Sequence, residues 1–444
     1  MTDLTDAGRA RLEDYLEQLG ELLGNSRRRA SFATYAHGLL SDGERKSVEP
    51  IAARAVGSAV GVDAAHQRLL HFITDSTWDD HAIRLAATRY ALKAMTATQP
   101  IETWILDDTG FLKQGKHSVG VQRQYTGSAG KVTNCQVGVS LTLATRSAHV
   151  PVDFQLYLPE SWTEDSERRR EARIPDEVTF KTKLELALEM LNRARADELP
   201  SGILLADSAY GASADFRLAV HRLGLLYSVG VNCRTSVYQV GPPVNNRGHQ
   251  PIELRDLAAK LEAKGKFERC SWRNSTSGDE MTARFAMRRV TPVAEQGREL
   301  ADRQPLWLLV EWRDGESEPA NYFFSSLPEE TSITELVRIT MQRWRTERVY
   351  QDLKGELGID HYEGRRFPGW HHHVSVALCC FAFVVAERHR IFPLPTGRRS
   401  PAGSDRLTPR TPLSRFVHHR SPRRRSGNGG VALPLSVLLQ IQQP

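Results

Sequence analysis

The most distinctive stretch of the chain is Arg343-Trp344-Arg345-Thr346-Glu347-Arg348-Val349-Tyr350-Gln351-Asp352-Leu353-Lys354. Good helix formers and the absence of proline predict a helix over residues 332 to about 358. At about 100° per residue, Arg343, Glu347 and Lys354 fall within about 40° of one another around the helix axis. One helix face therefore carries a carboxylate and two cations, which suits a site that handles a metal ion and a phosphodiester. Taken alone, the pattern is more typical of a solvated i,i+4 charge pair.

Two short apolar runs in the first half of the chain each end in aspartate. They are Trp-Ile-Leu-Asp-Asp at 104–108 and Ile-Leu-Leu-Ala-Asp-Ser at 203–208, and both are typical of buried strands. Two aspartates at strand ends and one glutamate on a helix, in this order, match the needs of a two-metal phosphoryl-transfer site. Such a site uses hard oxygen ligands to hold Mg²⁺, and the paired ions stabilise the attacking and leaving oxygens.

The order of elements predicts an α/β fold with an RNase H-like catalytic core. After helices over residues 1–100, the pattern indicates strands at 104–107, 118–125 and 135–144, a helix at 180–195, a strand at 203–206, a helix at 214–223 and a strand at 225–231. Ligands in such sheets bind at the carboxyl ends of strands, where Asp108 and Asp207 fall. Residues 101–232 are therefore expected to form the first part of the core, and residues 329–390 the second part.

Several sequence motifs resemble those of one protein family. Arg343, Glu347 and Lys354 match the signature Tyr-x2-Arg-x3-Glu-x6-Lys of bacterial insertion-sequence DDE transposases, and Thr340 stands at the Tyr position. The surrounding motifs are similar to those of the insertion sequence seven-oh-one type, which belongs to the insertion sequence four superfamily. The resemblance runs from about residue 30 to about residue 386. These motifs are Asp-Asp-Thr-Gly-Phe-Leu-Lys-Gln-Gly-Lys-His-Ser-Val-Gly-Val (107–121), Gln-Tyr-Thr-Gly (124–127), Leu-Tyr-Leu-Pro-Glu-Ser-Trp (156–162), Ala-Asp-Ser-Ala-Tyr-Gly (206–211) and Gly-Ile-Asp-His-Tyr-Glu-Gly (358–364).

The resemblance implies Mg²⁺-dependent cleavage at transposon ends and strand transfer into target DNA. Asp108, Asp207 and Glu347 would be the catalytic residues and would hold two Mg²⁺ ions, for which Mn²⁺ can substitute. Double-stranded DNA would be the partner, both as terminal inverted repeats and as target, and two copies of the chain would join two ends. A metal-dependent nuclease on the same fold, a non-catalytic DNA binder and an inactive element copy are alternative functions.

Four further residues near Glu347 are relevant to DNA contact. Arg343 and Lys354 are expected to bind phosphates near the scissile bond. Trp344 would stack on a base at the cleaved end, or else be a core residue. Thr340 has a shorter reach than the Tyr that contacts a DNA hairpin intermediate in the family, so a hairpin pathway is in doubt.

The choice between Asp107 and Asp108 needs more than periodicity. Adjacent strand residues point to opposite faces, so only one of the two can reach the metals. A buried central strand is apolar on both faces, and its pattern does not choose between them. In the related enzymes the catalytic Asp directly precedes Thr or Ser, and Asp108 precedes Thr109. The expected ligand is therefore Asp108.

The other segments have less specific patterns. Residues 1–100 are predicted to be a helical domain that binds DNA ends, or a helical cap on the catalytic domain. Residues 233–328 are predicted to be a β-rich insertion that, by the resemblance, lies beside the active site. Residues 391–444 are basic and rich in Pro, Ser and Gly, which predicts a largely disordered tail.

Composition narrows the class of protein. The net charge is +6 with 25% charged and 40% hydrophobic residues, which indicates a globular protein with a mild preference for anionic partners. Five cysteines without zinc spacing, and an acidic, helical N-terminus, favour a reducing cytoplasm over secretion. The apolar run 374–386 is predicted to be a buried helix and not a membrane span. His371, His372 and His373 point about 100° apart on a helix, so a metal site there is not expected.

Overall fold

The computed structural model describes residues 2–58, 60–239, 250–274, 279–293 and 305–392. Five helices come first, and an α/β region follows. The helices are α1 (Thr2–Glu21), α2 (Ser26–Leu40), α3 (Val48–Val56), α4 (Val62–Thr74) and α5 (Asp80–Met95). The α/β region contains β1 (Thr103–Leu112), β2 (Gln122–Thr126), β3 (Lys131–Ala144), β4 (His149–Tyr157), α6 (Glu160–Thr163), α7 (Ser166–Ala172), α8 (Lys183–Ala196), β5 (Ile203–Ala206), α9 (Ser208–Gly211), α10 (Ala214–Arg222) and β6 (Tyr227–Val231).

A β-rich segment and three helices complete the described chain. The β-rich segment consists of β7 (Ser236–Tyr238), β8 (Ile252–Glu253), α11 (Leu254–Ala263), β9 (Glu268–Asn274), β10 (Glu280–Pro292), β11 (Leu306–Trp312) and β12 (Asn321–Ser325). The helices are α12 (Ile333–Thr340), α13 (Trp344–Gly355) and α14 (Phe367–Ile391). The basic tail predicted over residues 391–444 lies outside the described residues beyond position 392.

The described strands form one mixed sheet of twelve strands. Its order is β2-β3-β1-β5-β6-β12-β11-β10-β7-β8, with β4 also paired to β3 and β9 to β10. The strands β1, β5 and β6 run parallel, and the other pairs are antiparallel. The fold is therefore mixed α/β behind a helical N-terminal region. The β-rich segment continues the sheet through the β6–β12 pair, a long-range contact that local sequence patterns do not reveal.

The N-terminal helices share a core with the C-terminal helix α14. Arg11 donates to both carboxylate oxygens of Glu387, and the Tyr15 hydroxyl donates to the Cys379 carbonyl oxygen at 2.8 Å. Helix α14 is long and apolar enough to cross a membrane, but its apolar window is wholly buried inside the protein. The apolar run therefore forms a core helix, and this helix is longer than the predicted run 374–386.

The three histidines of α14 are buried and point to different partners. The rings of His371, His372 and His373 lie within hydrogen-bond distance of the carbonyl oxygens of Phe367, Ile73 and Gly358, respectively. Burial lowers the pKa of His371 and of His373 to about 4, which favours neutral rings at neutral pH. Their role in this fold is packing and hydrogen bonding.

The helix predicted over residues 332–358 is interrupted. Ser332 begins α12 as its N-cap, because its hydroxyl accepts from the Glu335 backbone N–H at 3.2 Å. Residues Met341–Arg343 then form a 3₁₀ turn before α13 begins. The Thr340 hydroxyl lies 2.6 Å from the Ser228 hydroxyl, which fastens the start of the turn to β6. The interruption tightens the chain directly before the helix that carries Glu347.

Candidate functional site

The two faces of β1 point into different parts of the protein. Ile105 packs with Leu205, Leu336 and Val337, the last two from α12, so this face is covered by the C-terminal helices. Side chains alternate along a strand, so Asp107 shares the face of Ile105, and Asp108 lies on the opposite face. The alternation separates two adjacent carboxylates that the sequence presents as a pair.

Strand pairing brings Asp107 next to Asp207. The strands β1 and β5 are parallel, with Trp104 opposite Leu204 and Ile105 opposite Leu205. Two residues further along the same register, Asp107 stands beside Asp207. Asp207 caps α9, because its carboxylate accepts from the Ala209 backbone N–H at 2.9 Å. The two carboxylates thus meet at the carboxyl ends of parallel strands, which is where such sheets bind ligands.

Asp107 is buried, and Arg343 is its partner. Arg343 Nη1 donates to Asp107 Oδ2 at 2.7 Å. Burial raises the pKa of Asp107 to about 7; Arg343 works against this rise, and the nearby Asp207 adds to it. The raised pKa of Asp107 is thus mainly an effect of burial, which the guanidinium of Arg343 only partly offsets.

Arg343 is surrounded by three carboxylates. Its Nη2 lies 3.9 Å from Oε1 of Glu347, whose side chain is 63% exposed at the start of α13. Burial alone would lower the pKa of Arg343, but Asp107, Asp207 and Glu347 together raise it above its ordinary value. The structure thus gathers Asp107, Asp207 and Glu347 around one guanidinium.

Asp108 has different partners on the other face of β1. Lys183 Nζ, at the first position of α8, lies 3.0 Å from Asp108 Oδ2, and the Tyr210 hydroxyl donates to the same oxygen at 3.4 Å. Asp108 and Lys183 therefore form an ion pair away from Arg343. The sequence analysis did not single out Lys183, and no local motif distinguishes it from other surface lysines.

The donor set suits a hard divalent cation in its chemistry. Asp107, Asp207 and Glu347 offer only carboxylate oxygens, which Mg²⁺ and Mn²⁺ prefer. Burial and the nearby Asp207 raise the pKa of Asp107, and a bound cation would favour its ionised form. Within the described ranges, no three His, Cys, Asp or Glu side chains stand close enough together to hold an ion as they are placed. The guanidinium of Arg343 provides the positive charge among these carboxylates.

A cleft of about 900 Å³ opens in front of these residues. One wall comes from the carboxylate region and the other from the β-rich segment. The lining includes Asp207, Thr340, Arg343, Trp344, Glu347, Trp272, Arg273, Glu311 and Arg313. Its depth and mixed charge suit a large, partly anionic ligand better than a small apolar one.

Trp344 bridges the two walls of the cleft. The guanidinium of Arg273, from β9, lies 4.3 Å from the centre of the Trp344 ring, and Trp344 is half-buried. The guanidinium of Arg345 lies 5.4 Å from the centre of the same ring, so two cations lie close to Trp344. The sequence analysis missed Arg273, which no pattern relates to Trp344.

Lys354 lies apart from the cleft lining. Its Nζ donates to Thr109 Oγ1 at 2.9 Å and to the Gly110 carbonyl oxygen at 2.8 Å. Burial lowers the pKa of Lys354. These bonds tie α13 to the end of β1. The structure thus brings Arg343, Trp344 and Glu347 together with Asp207 at the cleft, whereas Asp107, Asp108 and Lys354 do not line it.

Comparisons with known proteins indicate the family of the chain. A family described as DDE superfamily endonuclease matches residues 18–279, which is more than half of the chain, and a Transposase DDE domain matches residues 181–383. The chain is 28% identical over 221 residues to the probable transposase for insertion sequence element IS701 of Microchaete diplosiphon. The matched part is 50% of this chain and 53% of that protein, so the match spans about half the length of the relative.

Proposed function

Because the chain belongs to the family of DDE superfamily endonucleases, we propose that it is the transposase of an insertion sequence. It would cut DNA at the ends of the element and join the freed ends to target DNA. The observation that carries the proposal is the gathering of Asp107, Asp207 and Glu347 around Arg343 at a large cleft. The mixed sheet behind a helical N-terminal region is consistent with a DDE nuclease, and we assign its core to the RNase H-like class.

Asp107, Asp207 and Glu347 are the proposed metal ligands, with Asp107 in place of the expected Asp108. Three observations support this choice. Asp107 lies on the strand face that packs against α12, and the register of β1 and β5 places it near Asp207. It also accepts a hydrogen bond from Arg343. When bound, two Mg²⁺ ions, or Mn²⁺ in their place, would activate the attacking water and stabilise the leaving 3′ oxygen. Asp108 would instead fix α8 to β1 through Lys183.

Arg343 has two roles in this proposal. In the free protein its guanidinium lies among the three carboxylates and offsets part of their charge. With DNA bound it would donate to a phosphate next to the scissile bond, because a guanidinium is suited to planar, two-bond contact with phosphate oxygens. Trp344, held by Arg273, would form the cleft wall against which the end of the DNA lies.

Lys354 and Thr340 support the site from within the protein. Lys354 would set the position of β1 through Thr109 and Gly110, and would reach a phosphate only if these bonds were exchanged. Thr340 is buried against Ser228, so the proposal includes no contact of Thr340 with a DNA hairpin. The partners would be double-stranded DNA, as inverted repeat and as target, and a second copy of the chain. The protein would act in the cytoplasm, at the nucleoid.

The test is an end-cleavage and strand-transfer assay. Wild-type protein and Asp207→Asn are incubated with duplexes from the ends of the element and with a target plasmid, with MgCl₂, MnCl₂ or EDTA. The proposal predicts nicked ends and joined products with either metal, and neither product with EDTA or with Asp207→Asn. Cleavage without joining would make the protein a nuclease. Binding without cleavage under all conditions would reject an enzymatic role.

A further inference from the structure

A buried carboxylate lies in the cleft wall that the β-rich segment forms. Glu311 of β11 is only 1% exposed, although it belongs to the cleft lining. Each of its oxygens accepts one hydrogen bond: Arg313 Nε donates to Oε1 at 2.9 Å, and Asn321 Nδ2 donates to Oε2 at 2.6 Å. Glu311 therefore fixes an arginine and an asparagine at this wall, and both of them also line the cleft.

Glu311 lies on the face of the sheet that carries Asp107. Paired residues of neighbouring strands share a face, and so do alternate residues of one strand. From Ile105, on the Asp107 face, the strand pairs lead across the sheet through Leu205, Ser228, Ser325 and Trp307, and Trp307 alternates with Leu309 and Glu311. The proposed metal ligand Asp107 and the Glu311–Arg313 pair are therefore on one side of the sheet.

Arg313 keeps one edge of its guanidinium for a further acceptor. Its side chain is 60% exposed, and Nε is the atom that bonds to Glu311. Among the residues that the structure describes, none accepts a hydrogen bond from Nη1 or Nη2 of Arg313. These two atoms carry most of the N–H groups of a guanidinium, and the edge that they form suits the oxygens of an anion such as phosphate.

Stability alone gives little reason for this ion pair. The desolvation of a buried carboxylate largely offsets its attraction to a cation, so apolar residues of similar volume often stabilise a protein at least as well. The preceding residues of β11 on the same face, Trp307 and Leu309, are apolar and pack in the cluster that includes Leu336 of α12. An apolar residue at position 311 would continue that pattern. A carboxylate that instead holds an exposed guanidinium at a cleft indicates a ligand in the cleft.

The charge of this wall favours an anion. Its other carboxylate, Asp314, accepts from both Nη atoms of Arg269, at 2.8 Å and 2.9 Å. Because Glu311 pairs with Arg313, each carboxylate among the described lining residues of this wall has a cation. Arg273 is an additional cation of the same wall. The wall thus carries a net positive charge across the cleft from the proposed metal ligands.

We propose that Arg313 binds a backbone phosphate of the DNA in the cleft, on the wall opposite the proposed metal ligands. Its Nη edge would donate to the phosphate oxygens, while Glu311 acts as a positioning residue through Nε. Arg343 and Arg313 would then hold the same DNA from the two walls. This inference rests on the proposed function and adds a second phosphate-binding site to it.

The test measures DNA binding by the full-length protein without metal, as a function of salt concentration. Binding of a fluorescent duplex with the end sequence of the element is followed by anisotropy for the wild type, Arg313→Ala and Arg313→Lys. The control is Arg288→Ala, which removes an exposed cation of β10 on the opposite face of the sheet. Circular dichroism verifies the folding of each variant.

Arg313→Ala should reduce the slope of log K against log salt by about 0.9, the value for one lost phosphate contact, and should weaken binding about tenfold. Arg313→Lys keeps the charge, so the slope should stay and part of the affinity should be lost, because an ammonium cannot make the two-bond contact. Arg288→Ala should change neither quantity. If the slope for Arg313→Ala equals that for Arg288→Ala in folded variants, the proposal is overturned.

The double variant Glu311→Met/Arg313→Met keeps the result decisive if Arg313→Ala does not fold. It removes both charges of the pair, so no buried carboxylate loses its partner and the net charge of the protein is unchanged. The proposal still expects the slope to fall by about 0.9, because the phosphate contact is lost. An unchanged slope for this variant overturns the proposal.

A matched pair of variants tests the positioning role of Glu311. Glu311→Gln and Glu311→Met remove the same charge, but only the Gln variant keeps an oxygen that can accept from Arg313 Nε. The Gln variant should therefore bind DNA several-fold more tightly than the Met variant. Equal affinities would show that Arg313 does not depend on Glu311 and would reject that part of the proposal.

The end duplex and an unrelated duplex are compared to identify the source of the phosphate. A reduced slope for the end duplex alone assigns the contact to the transposon end, and a reduced slope for both assigns it to any DNA backbone; either result supports the phosphate contact. Because binding is measured without metal, a reduced slope supports the contact even if no cleavage is ever observed. Cleavage with an unchanged slope would support the proposed function and reject the Arg313 contact.

Discussion

The two faces of β1 carry adjacent aspartates in contrasting surroundings. Asp107 is buried near Asp207 and bonds to Arg343, and Arg343 lines an open cleft. Asp108, one residue later, pairs with Lys183 on the other face. Asp107 shares the guanidinium of Arg343 with Asp207 and Glu347, whereas Asp108 pairs with Lys183. This difference indicates that a carboxylate suits a metal site when its neighbours leave its charge unbalanced, and that position in the sequence is a weaker guide.

The largest expected effect follows from removing the exposed carboxylate of the Asp107 face. Glu347→Gln should reduce Mg²⁺-dependent end cleavage by more than about 100-fold, because even outer partners of metal ligands are worth 10–100-fold. DNA binding should stay within about twofold, since Glu347 is 63% exposed and its loss does not disturb the helix. Glu363→Gln, which changes an exposed carboxylate that pairs with Arg45, is the matched control. Cleavage within tenfold of wild type would remove Glu347 from the site.

The pH dependence of stability should distinguish the two faces. Burial raises the pKa of Asp107 from its ordinary 3.8 to about 7, so the folded state keeps a proton that the unfolded state releases. The resulting stabilisation is fully present below about pH 4 and is lost as the pH rises through 7, by at most about 1.4 kcal/mol per pH unit. Asp107→Asn should therefore gain stability relative to the wild type between pH 4 and pH 7.

Urea unfolding in EDTA at several pH values measures this difference. The Asp108→Asn variant keeps Asp107, so its free energy of unfolding should depend on pH in the same way as that of the wild type. If the free energy of unfolding depends on pH in the same way for Asp107→Asn and for the wild type, the pKa of Asp107 is not raised in the metal-free protein.

The Lys354→Met variant tests whether α13 holds β1, and with it both aspartates, in place. Lys354→Met keeps the apolar stem but removes the bonds to Thr109 and Gly110, which should lower the free energy of unfolding by about 1–3 kcal/mol. Cleavage should fall with it, because β1 loses its anchor. Lys264→Met, which removes an exposed lysine, should change stability by less than about 0.5 kcal/mol. A fully stable Lys354→Met variant with weak DNA binding would favour the phosphate contact predicted from the sequence.

The smallest effect is expected on the Asp108 face. Lys183 is about one-third exposed, and a partly exposed ion pair contributes roughly 0–1 kcal/mol. Lys183→Met should therefore change the unfolding midpoint only slightly and reduce cleavage by less than about tenfold. A loss as large as that of Glu347→Gln would place Lys183 and Asp108 in the reacting centre.

Part of this site could be predicted from the sequence, because helical spacing and strand ends are local features. The spacing of Arg343 and Glu347 predicted that they share a face, and they do so despite the 3₁₀ turn at Met341–Arg343. Asp207 was expected at a strand end and follows β5 directly. The separate strands, the helical N-terminal region and a buried helix near the C-terminus were also predicted.

The rest depends on contacts between distant segments. The Asp107 and Asp108 faces of β1 differ only in the elements packed on them, and an apolar strand carries no alternation that would tell them apart. The pairing of β6 with β12, which joins the β-rich segment to the sheet, is not visible in either strand alone. The same holds for Arg273 over Trp344 and for Lys183 beside Asp108, since each contact joins residues far apart in the chain.

The central claim is that Asp107, and not Asp108, completes the site with Asp207 and Glu347. The most direct measurement compares end cleavage by Asp107→Asn and Asp108→Asn in Mg²⁺, with folding of both variants verified by circular dichroism. The account predicts a loss of more than about 100-fold for Asp107→Asn and less than about tenfold for Asp108→Asn, because only the first removes a metal ligand. The opposite ranking in folded variants would contradict the account and assign the metal to the Asp108 face.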